Sequence, residues 1–219
     1  MSSRAIDTLE PLLRAIDGAA SRDELVRCTR ALTQAMPALA DDPPSQQRAI
    51  ACCLELLRSN NPGAALLAVK GLVDCGAVAV EPLLNSIDER DYGARAWAVR
   101  ALAALGDQRG LAVLRRAVAQ DIGPSVRQAA AHGLGRLTFS AEERSEGQLA
   151  CLESLETGLK DEEWAVRYAS VVALQTLMKA GLEPPLRRRV ATLLERHRDA
   201  DDTLVVRLRA LQALEQQPL

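Results

Sequence analysis

The sequence predicts an all-α chain, a right-handed solenoid of antiparallel helix pairs, and three observations carry that expectation. The 219 residues are 48% hydrophobic yet include only five aromatics, Tyr92, Trp97, Phe139, Trp164 and Tyr168. About a third of the chain is Ala plus Leu, which are strong helix formers that strands do not favour, so sandwiches, barrels and doubly wound sheets are excluded. A nine-residue segment also recurs without gaps at 94–102, 126–134, 166–174 and 206–214, with an earlier copy at 64–72 that lacks its arginine. Recurrence at this period is the mark of a repeat architecture.

Taken in order, the N-terminal third reads as helices near 5–16, 22–36 and 46–58, with Asp41-Asp42-Pro43-Pro44 as a linker. It is less regular than the rest and is expected to form a helical cap over 1–58 that can meet a partner, because a repeat stack needs caps. Residues 59–219 hold the repeats, in one continuous solenoid domain. Successive copies stand 30, 32, 40 and 40 residues apart, and each interval contains a second helical pattern, at 78–87, 110–118, 148–158 and 186–197. Breakers fall between the helices, at Asn60-Asn61-Pro62-Gly63, Asp91-Tyr92-Gly93, Gly106-Asp107, Gly123-Pro124 and Glu183-Pro184-Pro185.

Charge and cysteine content exclude several function classes. A net charge of −2 and a pI near 5.8 give no basic field to hold nucleic acid or an anionic membrane. Lys70, Lys160 and Lys179 are the only lysines, so arginine, which grips carboxylates bidentately and stacks on rings, supplies nearly all the positive charge. Cys28, Cys52, Cys53, Cys75 and Cys151 are odd in number and form no C-x-x-C pair, which fits buried structural thiols in a reducing compartment. The charged N-terminus is no signal peptide, and no later stretch is expected to span a membrane, so a soluble, cytoplasmic protein is expected.

The Val-Arg segments resemble HEAT repeats, whose inner helices carry a turn Asp, then Val-Arg, then Ala and Leu at helical spacing. Asp121, Asp161 and Asp201 each stand six residues before Arg127, Arg167 and Arg207. With the arginine as position 0 and about 100° per residue, positions −1, +3, +6, +7 and +10 form one sector, filled by Ala, Val, Ser, Gly or Leu in the copies at Arg95, Arg127 and Arg167. That sector is the expected core. The opposite sector, −3, +1, +5 and +8, would line the concave face of a HEAT stack, and it holds Tyr92, Trp164, Tyr168, Arg100 and His132. Trp97, at +2, lies on the flank and can face either a ligand or the neighbouring repeat.

The arginines at position 0, Arg95, Arg127, Arg167 and Arg207, are expected to bond turn carboxylates or helix ends of the adjacent repeat rather than a ligand. Arg100 departs from the repeat and is either a solvated side chain or a ligand contact. His132 can be a proton donor near neutral pH or an exposed histidine with no role. His197 falls in the run from Arg187 to Arg198, expected to be a solvated face. There is no phosphate loop, H-E-x-x-H or nucleophile elbow, and two histidines are too few for a metal cluster, so no metal site is expected. What remains is a face with aromatic, cationic and acidic groups, the last including Asp88, Glu89 and Asp91. It suits a flat, anionic, conjugated ligand or another protein.

Several strings are similar to the F-type subunit of the cyanobacterial E/F-type phycobilin lyases. They are Asn61-Pro62-Gly63-Ala64-Ala65, Asp91-Tyr92-Gly93-Ala94-Arg95-Ala96-Trp97-Ala98-Val99-Arg100, Gly106-Asp107-Gln108-Arg109-Gly110-Leu111, Ser125-Val126-Arg127-Gln128 through His132-Gly133-Leu134-Gly135, and Trp164-Ala165-Val166-Arg167-Tyr168-Ala169. The likeness covers about 60–180. It implies a heterodimer with an E-type subunit that attaches a linear tetrapyrrole, typically phycocyanobilin, through a thioether to a cysteine of the phycocyanin α subunit. The bilin is then a substrate and no cofactor is implied. The attacking thiolate belongs to the acceptor protein, which accounts for a chain without a nucleophile of its own. For such a ligand, Arg95 or Arg100 can clamp propionates, Asp91 can accept from pyrrole N–H groups, and Tyr92, Trp97, Trp164 or Tyr168 can pack on the π face. Asp91, Tyr92 and His132 are the candidate proton-transfer groups. An isomerising paralogue type carries an adjacent His-Cys pair, which this sequence lacks, so attachment without isomerisation is expected. Two other readings are a HEAT scaffold for phycobilisome assembly or degradation and a helical-repeat DNA glycosylase; the net charge opposes the second.

Overall fold

The structure, a computed structural model, describes residues 2–88 and 90–216, with side chains from residue 8 onward. Among these residues there are twelve α-helices joined by turns and three short 3-10 segments, and the only β pairing is an isolated parallel bridge from Asp107 to Thr138. The chain divides into two compact units, Met1–Ala101 and Leu102–Leu219. The first holds α1 (Ser2–Asp17), α2 (Arg22–Ala35), α3 (Pro43–Arg58), α4 (Pro62–Cys75), α5 (Val80–Ser86) and most of α6 (Tyr92–Leu105). The second holds α7 (Leu111–Gln120), α8 (Pro124–Leu134), α9 (Arg144–Gly158), α10 (Trp164–Lys179), α11 (Pro184–Ala200) and α12 (Leu204–Glu215). This division falls within α6, whereas residues 58 and 59 lie at the junction of α3 and α4, which pack directly on each other.

Local chemistry starts each helix. Ser21 caps α2 by accepting the Glu24 N–H at 3.2 Å, and Asn61 caps α4 by accepting the Ala64 N–H at 3.2 Å. The Asp-Asp-Pro-Pro stretch is not a plain linker. Pro43 and Pro44 open α3, because a first helical turn needs no N–H from them. For the same reason α11 begins at Pro184, earlier than 186, while α9 reaches back to Arg144.

The run Pro62–Ser86 corrects one expectation, since by length and composition it is apolar enough to cross a membrane. Part of its apolar surface belongs to the core, with Ala64, Ala65, Ala68, Leu72, Val80 and Leu83 buried, while Leu66 and Val78 are exposed. The run is also broken at Gly76, whose φ of 66° is a left-handed conformation that ends α4 before α5 begins.

The small-residue stripe forms the core. Val126, Ala130, Gly133 and Leu134 on α8, and Val166, Ser170, Ala173 and Leu174 on α10, are all buried, and none of the five aromatics is. Small side chains let helices approach closely. A Cβ on Gly135 would lie 2.6 Å from the Ala173 Cα, so that position admits only glycine without a backbone shift.

The Val-Arg arginines lock the second unit together. Nε and Nη2 of Arg127 donate to both carboxylate oxygens of Asp161 in the next repeat, at 2.6 and 2.9 Å, while Nη1 reaches the Asp121 and Ile122 carbonyls of its own turn. Arg167 does the same with Asp201, at 2.9 and 3.1 Å, and with the Asp161 and Glu162 carbonyls. Each aspartate also accepts a turn N–H, Glu163 onto Asp161 and Thr203 onto Asp201, both at 2.9 Å. Burial opposes the charge on Asp161 and Asp201, but the arginine forks and these N–H groups outweigh it and hold both carboxyls below the usual aspartate value.

Breaking a buried charge pair from one side costs about 3–5 kcal/mol, so Asp201→Asn is expected to lower unfolding free energy by an amount in that range at pH 7. A carboxyl depressed in the folded state stabilises fully above its unfolded value near 4 and loses that contribution as pH falls through its folded value. Urea titrations of wild type and variant are therefore expected to converge as pH drops below about 4.

Candidate functional site

Asp91 starts the most distinctive helix by capping it: Oδ1 accepts the Ala94 N–H at 3.0 Å and the carbonyl accepts the Arg95 N–H at 3.0 Å. The cap fixes the first turn of α6, so residues three apart along it become neighbours. The Arg95 guanidinium lies 5.5 Å from the Tyr92 ring centroid, and that of Arg100 lies 5.1 Å from the Trp97 ring. Tyr92 is 42% exposed, Arg100 is exposed and Trp97 is half-buried. Trp97, left open by helical geometry, is thus the platform under Arg100. Arg95 shares the register of Arg127 and Arg167 and has a further contact of its own, so it is not a free cation. Asp88 accepts the Arg90 N–H at 2.9 Å, and Glu89 lies outside the described residues.

In the second unit, Trp164 is 48% exposed at the start of α10 and Tyr168, one turn later on the same side, is half-buried. His132 is half-buried on α8. Burial, and then the charges of Arg136 and Arg209, hold its pKa below the ordinary 6.5, so at neutral pH it is mainly the neutral imidazole and offers one N–H. Arg209 itself escaped the sequence reading, although at position +2 of α12 it stands in the register of Trp97 on α6. One of its Nη atoms donates to Gln175, whose amide reaches Gln216 at 3.0 Å, and the other is buried with no acceptor among the described residues.

The remaining chemistry is inert or lies elsewhere. Burial raises the Cys52 thiol to about 11 and the Cys151 thiol to about 12, and it also raises Cys53 and Cys75, so at neutral pH these four are thiols rather than thiolates. His197 is not part of a solvated face: its two ring nitrogens lie 2.9 Å from the Leu193 carbonyl and 3.1 Å from that of Leu159, tying α11 to the end of α9. A groove between α7 and α9, lined by Arg115, Arg116, Glu153, Ser154 and Thr157, includes none of the residues singled out from the sequence.

HEAT repeats match residues 29–135 and 80–155, and a single HEAT repeat matches 151–181. The chain is 39% identical to the phycobilisome maturation protein of Synechococcus elongatus, over 91% of this chain and 93% of that one. It is 41% identical to the phycocyanobilin lyase subunit beta of Nostoc sp. PCC 7120, over 92% of this chain and 98% of that one. In the solved complex of CpcE and CpcF of phycocyanin lyase from the same Nostoc strain, one chain superposes with a TM-score of 0.68 at 43% identity, covering 76% of this chain and 98% of that chain.

Two measurements check the chemistry of these groups. The His132 ring resonances are expected to titrate with a midpoint below 6.5, while a midpoint above it contradicts the burial described. Cys53 and Cys151 are expected to resist alkylation at pH 8 until the protein is unfolded, as counted by mass spectrometry.

Proposed function

The chain belongs to the beta, or F-type, subunit family of the phycobilin lyases, and from that premise we propose how it acts. Together with an E-type partner subunit it attaches a linear tetrapyrrole, phycocyanobilin, to a cysteine of the phycocyanin α subunit, in the cytoplasm. The kinship over nearly its whole length with a phycocyanobilin lyase subunit beta carries this reading. In the reaction the acceptor's thiolate sulfur bonds to the exocyclic ethylidene carbon of ring A, the π electrons move into the ring, and a proton is delivered there. Nothing leaves and nothing is oxidised. The bilin is a substrate, and no cofactor takes part.

The chain's task is therefore to hold, orient and protonate. Orientation is the larger lever, while one positioned acid typically gives about 10²–10⁴-fold. On α6, the Trp97 ring offers a face to the conjugated plane, and the exposed Arg100 beside it offers a fork to a propionate. Tyr92 and Arg95 form a second ring and cation pair one turn earlier. Asp91 presents its carboxylate edge to pyrrole N–H groups while capping the helix. In the second unit, Trp164 and Tyr168 are the stacking residues on α10, and His132 is a hydrogen-bond donor and proton relay on α8. With Asp91 and Tyr92, His132 completes the set of proton-transfer candidates.

The reading is tested by co-expressing this chain with an E-type subunit, the phycocyanin α subunit and a bilin source, then scoring covalent bilin fluorescence on a denaturing gel. Strong fluorescence is expected only with this chain present, and equal fluorescence without it overturns the proposal. Replacing Trp97 and Arg100 together by Ala is expected to weaken bilin binding by about tenfold or more in a folded heterodimer, since stacking and a charged hydrogen bond are both lost.

A further inference from the structure

On the inner helices of the second unit, positions 0, +4 and +8 form the ridge that faces the next repeat. On α8 and its C-cap these are Arg127, Ala131 and Gly135, and on α10 they are Arg167, Val171 and Gln175; all six are buried. Rows four residues apart are the ridges by which packed helices interdigitate. At the two joints, Gly135 sits against Ala173, the forks of Arg127 and Arg167 close on Asp161 and Asp201, and Gln175 reaches Gln216.

The same ridge on α12 is Arg207, Leu211 and Glu215, and it lies open. Arg207 is half-buried, Leu211 is 38% exposed and Glu215 is exposed. Arg207 keeps the half of its bonding that belongs to its own turn, Nη1 to the Asp201 carbonyl at 2.7 Å. Among the described residues, no carboxylate takes the other half of its fork. Leu204 and Leu208, 59% and 55% exposed, extend the apolar surface along the same side of the helix. Both halves of a repeat joint, one cationic and one aliphatic, are therefore uncovered among the described residues.

We propose that this ridge of α12 docks a HEAT-type helix pair of the lyase's other subunit, whose turn aspartate closes on the Arg207 fork while its aliphatic stripe covers Leu211 and Leu208. The proposal rests on the heterodimer reading above. Complementarity selects the occupant, because the two joints inside the unit both pair this fork with a turn aspartate, and at the first the ridge meets the small apolar Ala173. In a second copy of this chain the aspartates that precede α8, α10 and α12 are already engaged: Asp161 and Asp201 hold forks, and Asp121 has a contact of its own.

The test is the affinity of the full chain for a purified E-type subunit, measured by calorimetry. Leu211→Asp and Arg207→Ala are each expected to weaken binding by about 30-fold or more, because one places a charge in the apolar contact and the other leaves a partner carboxylate unpaired. Ile122→Asp, at an exposed apolar position in a turn away from the ridge, is expected to bind like the wild type. Circular dichroism and melting curves establish that each variant is folded, and two unlike substitutions guard against one of them failing to fold. If both ridge variants bind like the wild type, the docking surface is wrong and the heterodimer stands. If the wild type does not bind the E-type subunit, the heterodimer reading falls and this proposal falls with it. Self-association of the wild type that Leu211→Asp abolishes also overturns it, in favour of a second copy as occupant.

Discussion

The second unit depends on one guanidinium used twice. In Arg127 and again in Arg167, Nη1 closes the turn of the arginine's own repeat while Nε and Nη2 grip the turn aspartate of the next. Each aspartate then orders its own turn through a backbone N–H. The start of one inner helix is thus tied to the start of the next by a planar, bidentate contact that fixes direction as well as distance. Because the pairs are buried, their value lies less in net stability than in the cost of any arrangement that leaves one charge alone. That cost sets the register in which α8, α10 and α12 stack.

A second constraint follows from how closely those helices approach. Gly135 against Ala173, and a stripe of Ala, Ser, Gly and Leu, leave no room for a ring in the core. Three of the aromatics lie toward solvent, Trp97 and Tyr92 beneath a guanidinium and Trp164 exposed. A surface of this kind offers flat faces and positive charge, and burial keeps the thiols of Cys52, Cys53 and Cys151 protonated. The division of labour in the lyase reaction is consistent with both facts, since the acceptor protein brings the sulfur and the lyase brings the alignment.

Much of this was legible in the sequence because it is periodic. The nine-residue repeat located the inner helices, the 100° wheel separated core from outward positions except at +8, where Gly135 and Gln175 are buried, and the aspartates six residues ahead of Arg167 and Arg207 foretold the partners of Arg127 and Arg167. Features that depend on contacts between segments distant in sequence were not legible. Trp97 sits on the flank of the wheel, and only the Arg100 side chain resting over it shows which way it is used. His197 looked solvated because its neighbours are arginines, but its second carbonyl partner, Leu159, comes from another helix. The apolar run at Pro62–Ser86 cannot be judged by composition at all, since the break at Gly76 and the core around it decide its role. His132 shows the same limit: its residue type promised a titration near neutrality, and burial moved it.

The central claim is that this chain positions the bilin and never forms a bond to it. The most direct test is the intact mass of this chain, taken under denaturing conditions during a single turnover with bilin, E-type subunit and phycocyanin α subunit. The account predicts an unmodified chain throughout, with the bilin mass appearing on the phycocyanin subunit alone. A bilin adduct on this chain that forms before the phycocyanin product, and decays as that product grows, would contradict it.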